Sequence, residues 1–345
     1  MEDYIVLLNE ANRYLGFFNE EITPETIGVI GGLSEEQQKA LFNQMYLVAE
    51  QRGHENIFSA DMNSFRAFIV DGGEFGWTIQ DYMLEVLDGI TPQWISGNYT
   101  DTEQAQNLVK DYEQNIADTF HYERFVKQFP TTVRDNEYKK SFYPSKLGAF
   151  INRKISMLST SAEIYLQNEV LIDELRVMLS KGDIVMKNGY TVNNKNGVLS
   201  LIEDVKTDYT AFSQPNSNCN ADGIISITPT DDLKFMITKA SIFERLKVRE
   251  YSGAFNLDQM KLEGRVIYIP EDYDMGTYGE NNEIPLFFLV DRRALVIAIK
   301  MWKMGTFYVS NQYKTNHWLG VEGIRGHNRF INAVAYLGEE KGNFQ

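Results

Sequence analysis

The side chains with which this 345-residue chain could do chemistry are four histidines, one cysteine and, among its acids, the pair Asp231-Asp232. A zinc site needs several cysteine or histidine ligands at short spacing. His54, His121, His317 and His327 are scattered, and no two stand four residues apart. Cys219 lies alone in the turn-rich run Gln214-Pro-Asn-Ser-Asn-Cys-Asn-Ala-Asp-Gly223, so there is no intrachain disulfide, and it reads as an incidental loop thiol. Asp231-Asp232 has the spacing for metal binding or acid–base work. The pair directly precedes an apolar run from Leu233, however, where aspartate is an ordinary turn former. Gly28-Val-Ile-Gly-Gly32 and Gly72-Gly73 match neither the phosphate loop G-x-x-x-x-G-K-S/T nor a strand-borne G-x-G-x-x-G. No G-x-S-x-G nucleophile elbow occurs. Trp302, Tyr308, Tyr313 and Trp318 have the composition of a stacking surface for nucleic acid, but core and interface packing is the simpler reading. No catalytic, cofactor-binding or metal-ligating set emerges.

Composition narrows the classes further. With 43% apolar and 13% aromatic residues the chain can bury a core, and its length suggests about two domains. A net charge of −15 argues against a general nucleic-acid binder, which should carry a basic footprint. It suits a soluble protein that must not stick to DNA or anionic membranes. Met1-Glu-Asp-Tyr lacks the basic start of a secretory signal, and the longest apolar runs, such as residues 284–290, fall far short of the roughly 20 residues of a membrane span. A protein made and kept in a reducing cytosol is expected. One charge asymmetry remains: residues 292–329 hold seven bases (Arg292, Arg293, Lys300, Lys303, Lys314, Arg325, Arg329) against Glu322. This block forms either a solvated face or a landing surface for acids.

The elements that must position these groups can be read in order. Residues 1–61 carry eleven acids against three bases. Ser34-Glu-Glu-Gln37 is a capping-box pattern, followed by Leu41, Met45, Val48 and Ala49 at helical spacing, with Gly53 as a stop. This predicts one amphipathic helix on an otherwise extended arm. Residues 65–88 read as extended, residues 101–118 as a short acidic helix, and residues 119–140 as a returning strand studded with Phe120, Tyr122, Phe125 and Phe129. Together they make a hairpin too polar to be core. Pro144 then opens a long helix whose apolar positions (Leu147, Ile151, Ile155, Leu158, Ala162, Leu166, Leu171, Leu175, Met178) recur every three to five residues up to Lys181-Gly182. At 1.5 Å per residue it is roughly 55 Å long. Residues 188–197 read as turns, 198–212 and 240–246 as helices, and 233–238, 264–270, 285–291, 295–301 and 330–337 as strands. Helix and strand mix without regular alternation, which predicts an α+β fold.

In that order the segments resemble tailed-bacteriophage major capsid proteins of the Hong Kong 97 type, in particular those of small short-tailed, podovirus-like phages. Gly76-Trp-Thr-Ile-Gln-Asp-Tyr82 resembles the outgoing strand of the family's extended loop. Thr119-Phe-His-Tyr-Glu-Arg-Phe125 through Ser141-Phe142 resembles the return strand, and residues 150–175 the spine helix. Leu233-Lys-Phe-Met-Ile-Thr238, Gly253-Ala-Phe-Asn256 and residues 264–270 resemble the apical domain. Asn316-His-Trp318 and Arg329-Phe-Ile-Asn-Ala-Val-Ala335 resemble the closing strand of the peripheral domain. The resemblance implies an N-terminal arm (1–62), an extended β-hairpin loop (63–142), a peripheral domain with the spine helix (143–197 and 285–345) and an apical domain (198–284). It implies a non-enzymatic subunit without cofactor or metal that self-assembles into pentamers and hexamers of an icosahedral head around packaged double-stranded DNA. Its partners would be itself, portal, scaffolding or minor head proteins, and DNA without sequence specificity, with no membrane. It would be assembled in the host cytoplasm and reside in the virion. The chain stops eight residues past Leu337, so the extra immunoglobulin-like domain of some relatives is not expected. Trp77, Tyr82, Asp111, Glu113, Phe125, Arg292, Arg293 and Arg329 are the expected inter-subunit contacts. An encapsulin-like cargo cage is the alternative within the fold; an enzyme using the Asp231-Asp232 region is the alternative of another class.

Overall fold

The computed structural model describes residues 2–23, 25–58, 64–71, 120–134, 144–246, 265–279, 281–309, 312 and 314–339. The outgoing leg and acidic tip expected between 72 and 118, and Gly253-Ala-Phe-Asn256, lie outside the described residues. The fold is mixed α+β, with a four-stranded and a five-stranded sheet.

The N-terminal region corrects the expectation of an extended arm. Two helices, α1 (Glu2–Leu15) and α2 (Glu35–Phe58), pack on each other and bury Leu8, Ala11, Leu41 and Met45. The chain leaving α1 folds back because two asparagine side chains lash it down. Asn12 donates to Phe18 O and accepts from Phe18 N, while Asn9 makes the same pair of bonds with Ile22 (2.8–2.9 Å). The capping box forms as its spacing predicts: Ser34 N donates to Gln37 Oε1 at 3.0 Å and Gln37 N to Ser34 Oγ at 3.3 Å. Gly53 does not end α2. A Cβ there would stand 3.0 Å from Trp302 Nε1, so the glycine lets the indole lie against the helix. Trp318 likewise lies across Gly305 and Gly320, where a Cβ would come within 2.5 and 2.9 Å of the ring. The two tryptophans are packing residues.

The strand expected from Phe65 begins later. Ser64 caps a 3-10 turn, Phe65–Phe68, that buries Phe65, Ala67 and Phe68 before β1 (Ile69–Asp71). The return strand is present as β2 (Phe120–Arg134). The long helix is present as α3 (Pro144–Tyr165), a π-helical stretch (Leu166–Ile172) and α4 (Asp173–Lys181). Gly182, at φ 73°, closes it with bonds from Gly182 N to Leu179 O and from Asp183 N to Met178 O.

Beyond it come β3 (Val185–Thr191), α5 (Lys195–Phe212), β4 (Lys234–Lys239), α6 (Ala240–Leu246), β5 (Val266–Ile269), β6 (Ile284–Asp291), β7 (Leu295–Val309), β8 (Lys314–Asn328) and β9 (Ala333–Glu339). The larger sheet has the order β3-β9-β6-β4-β5, parallel at its two outer pairs and antiparallel within. The smaller has the order β1-β7-β8-β2. Strand β3 falls where turns are expected, because Asn188-Gly189 forms a register shift inside the strand, with Gly189 at φ 89°. A Cβ on Gly338 would lie 1.9 Å from Tyr190 O, so only glycine lets β9 run this close to β3. Helix α5 supplies Val198, Leu201, Ile202, Val205 and Phe212 to a core shared with Met236, Phe287, Leu289, Val334 and Tyr336 of the sheet and Ile242, Phe243 and Leu246 of α6. Cys219 stands in the expected loop, and its side chain is buried in this same core.

The chain divides into two compact units, one of Met1–Ser59, Phe125–Leu166 and Ile299–Gly323, the other of Ala60–Arg124, Gln167–Ala298 and Ile324–Gln345. Leu158 and Leu166, on the apolar stripe of the long helix, are 3% and 0% exposed. Truncating either to alanine is expected to lower stability by about 2–5 kcal/mol, measured by urea unfolding.

Candidate functional site

The residues expected to carry chemistry are occupied in holding the fold. Lys234 is 1% exposed and needs a counter-charge. It finds Asp231 Oδ1 at 2.9 Å, Tyr209 O at 2.9 Å and Ser213 Oγ, with its ammonium 4.0 Å from the Tyr209 ring centroid. Burial alone would raise the Asp231 carboxyl, but the bond and charge of Lys234 hold it below the usual range. Asp232 is paired with Arg265. Burial raises the Tyr209 phenol, and burial pushes the Cys219 thiol up to about 12, so neither is primed as a nucleophile. Among the described residues no group of three histidine, cysteine or acidic side chains could hold a metal ion, and no helix is long and apolar enough to cross a membrane.

One concave region is lined by carboxylates, a cavity of about 590 Å³ between Lys239, the loop from Glu271 to Thr277, Asn281, Asn282 and Glu339. Burial alone would raise Glu271, but its carboxylate accepts from Ser241 N (2.7 Å) and Ser241 Oγ (2.8 Å), which lowers it below the usual range. That acid therefore caps α6. Burial pushes the Tyr273 phenol up to about 12.

Of the expected contact residues, Trp77, Tyr82, Asp111 and Glu113 lie outside the described residues. Phe125 is buried on β2, edge-on to Tyr165 at 6.2 Å, with Phe129 at 5.7 Å from the same ring. Arg292 donates through Nε to Ala67 O. Arg293 grips buried Asp291 through Nη2 (2.7 Å) and Nε (3.1 Å) and also donates to Ile227 O (2.8 Å). Arg329 pairs with Asp222 at 2.6 Å and Asp183 at 3.4 Å. These three arginines thus have partners in their own chain, so they are no simple solvated face. The four that are described, Phe125, Arg292, Arg293 and Arg329, each bind different partners.

The structure does assemble an ionic cluster. Arg325, His327 and Arg329 stand two residues apart along the end of β8 and the turn beyond it, and five acids converge on them. Arg325 Nη2 meets Glu123 Oε2 at 2.7 Å, Nη1 meets Asp173 Oδ2 at 2.7 Å, and Nε lies 3.2 Å from Glu174 Oε2. Nη1 also donates to the main-chain oxygen of Glu169 at 3.1 Å. His327 is fully buried, with Nδ1 2.7 Å from Glu174 Oε1 and Nε2 2.9 Å from Asp183 Oδ2. Burial works against the Arg325 charge, yet the bonds from Glu123 and Asp173 hold its proton more tightly than water would. Burial raises Asp222 above the usual carboxylate range, although Arg329 opposes the shift. Sequence reasoning missed this cluster because its acids come from residues 123, 173–183 and 222. Its available signal was the alternation of bases at 325, 327 and 329, which puts them on one side of an extended chain.

The arrangement does no evident bond chemistry; it fastens chain segments together. The family model of Phi29-like phage major capsid proteins matches residues 48–337. No curated protein matches the chain. Among solved structures, a capsid chain of Staphylococcus phage Andhra is similar at 12% identity and a TM-score of 0.47, covering 72% of this chain and 79% of that one. A chain solved with the head fiber and inner core protein of native bacteriophage P68 is similar at 12% identity and a TM-score of 0.41, covering 72% and 78%. A capsid chain of the cyanophage P-SCSP1u follows at 7% identity and a TM-score of 0.39, covering 64% and 73%.

The buried histidine of the smaller sheet gives this region a measurable pH response. His317 is 1% exposed, and burial together with the charge of Lys154 pushes it down to about 4. Its neutral form is favoured by folding. The contribution is therefore complete above the unfolded value near 6.5 and is lost as pH falls through 4. The loss should approach roughly 3 kcal/mol, to order of magnitude. Urea unfolding between pH 7 and 4 is expected to show a steeper decline for the native chain than for His317→Gln.

Proposed function

The chain belongs to the family of Phi29-like phage major capsid proteins, and from that membership we propose how it builds a head. It is a structural protein of the virion. In our reading the subunit has the Hong Kong 97-type arrangement: an arm over residues 1–62, an extended loop over 63–142, a peripheral domain with the spine helix over 143–197 and 285–345, and an apical domain over 198–284. Copies form pentamers and hexamers of an icosahedral shell in the host cytoplasm. The shell encloses double-stranded DNA without reading its sequence and receives portal, scaffolding or minor head proteins. It is not an enzyme. The family match over residues 48–337 is the observation that carries this reading. Two features support it: Asp231, Asp232 and Cys219 are bound up in ion pairs and packing, and the long helix from Pro144 to Lys181 buries Ile155, Leu158, Ala162, Leu166, Leu175 and Met178.

The inter-subunit contacts we propose are Trp77, Tyr82, Asp111, Glu113, Phe125, Arg292, Arg293 and Arg329. For the arginines only donors left over from their intrachain bonds would face a neighbour. Exposed ion pairs contribute about 0–1 kcal/mol each, but a shell repeats the contact in every subunit.

Purified protein is expected to form closed shells under negative-stain microscopy; small discrete particles would overturn the capsid reading. Replacing residues 73–118 by a short Gly/Ser link should leave a folded, soluble subunit that forms no shells. Reversing Asp111 and Glu113 to lysine should weaken assembly, and more so at low salt, where screening is least. Assembly indifferent to that reversal at every ionic strength would leave packing, not charge, as the organiser.

A further inference from the structure

The long helix departs from α geometry in one stretch. Between Leu166 and Ile172 it opens from α to π geometry. A π turn carries one residue more than an α-helix accommodates and is rare, persisting where something outside the helix favours it. Two influences are visible. Val170, Leu171 and Ile172 are all fully buried, so the wider turn lets three consecutive apolar residues face inward. The other is Arg325, whose Nη1 donates to the Glu169 oxygen within the turn while binding Asp173 just past it. The same guanidinium holds Glu123, three residues into β2, through Nη2.

Arg325 is 9% exposed, and its fork is planar and rigid. Its three nitrogens meet Glu123, Asp173 and Glu174 one each, so displacing one acid shifts the rigid fork relative to the others. Among the described residues Glu123 bonds Arg325, and Arg325 in turn bonds the helix at Glu169 O and Asp173. We propose that Arg325 is a positioning residue that couples the start of β2 to the π turn, so that the strand's seating and the helix register stabilise each other. The coupling stands on these contacts alone; only its assembly consequence rests on the capsid reading above.

Glu123 is the place to test it, because its side chain is 56% exposed and its replacement leaves no buried group without volume. Glu123→Gln removes the charge and keeps the shape. Amide hydrogen exchange of the full-length unassembled subunit, followed by mass spectrometry, reads the two segments separately. A charge-assisted hydrogen bond is strong enough that losing it should speed exchange about tenfold in residues 120–124. The coupling further requires faster exchange, by several-fold, across residues 167–173, with the rest of α3 unchanged. Glu123→Asp, which keeps the carboxylate, should return the 167–173 exchange toward the native rate. Exchange in 167–173 unaltered by Glu123→Gln would overturn the proposal and reduce the Arg325–Glu123 contact to a local ion pair. If the coupling holds in a capsid subunit, Glu123→Gln should also yield fewer closed shells by microscopy. Native protein that forms no shells would remove the capsid reading while leaving the exchange result intact.

Discussion

A buried positive charge must be enclosed by negative ones, and this acidic chain satisfies that condition by setting acids around the few bases it draws inward. Leaving such a charge unpaired costs several kcal/mol, which is far more than any exposed ion pair returns. Lys234 is covered by Asp231 and Tyr209, Arg293 by Asp291, and Arg325 by Glu123, Asp173 and Glu174. The Arg325 knot joins residues distant in sequence, while Lys234 and Arg293 pair with acids two or three residues away and also reach Tyr209, Ser213 and Ile227. The net charge of −15 is therefore more than a coating for solubility: part of it is an internal fastening material.

The same condition keeps the ionisable groups named above, among the described residues, committed to fixed partners. A catalytic carboxylate must be free to change protonation or partner. Here Asp231 is fixed by Lys234, Glu271 by Ser241 and Asp222 by Arg329, and the thiol of Cys219 is sealed in the core between α5 and the larger sheet. Groups so committed serve a protein whose task is to keep its shape when many copies are pressed together, as membership of a capsid family requires.

How far the sequence discloses this depends on whether the cause of a feature is local. The capping box at Ser34 and Gln37 and the glycine stop at Gly182 are local and stand where their patterns predict. The strand β6 is legible because it is buried along nearly its whole length and so reads as an unbroken apolar run. Strand β8 is not, because its glycines at 320, 323 and 326 and its bases mask the alternation; Trp318 over Gly305 and Gly320 compensates for the missing side chains. Helix α1 and the fold-back after it escape notice because the asparagine bonds that secure them carry no periodicity. The ionic cluster around Arg325 escapes for the most general reason: it exists only once three distant segments have met. One irregularity was visible all along. The apolar positions of the long helix step by three or four residues except from Leu166 to Leu171, a step of five, and that step lies inside the π turn.

That extra residue has a consequence for how the gene can change. Deleting one residue anywhere else between Pro144 and Lys181 would rotate everything downstream by about 100° and turn the buried face of α4 outward. A one-residue deletion between Leu166 and Ile172 would instead let the turn close to α geometry, leaving the apolar faces on either side in phase. The helix thus contains a place where a one-residue change in length need not shift the register of the faces on either side, though it would disturb the inward packing of Val170, Leu171 and Ile172.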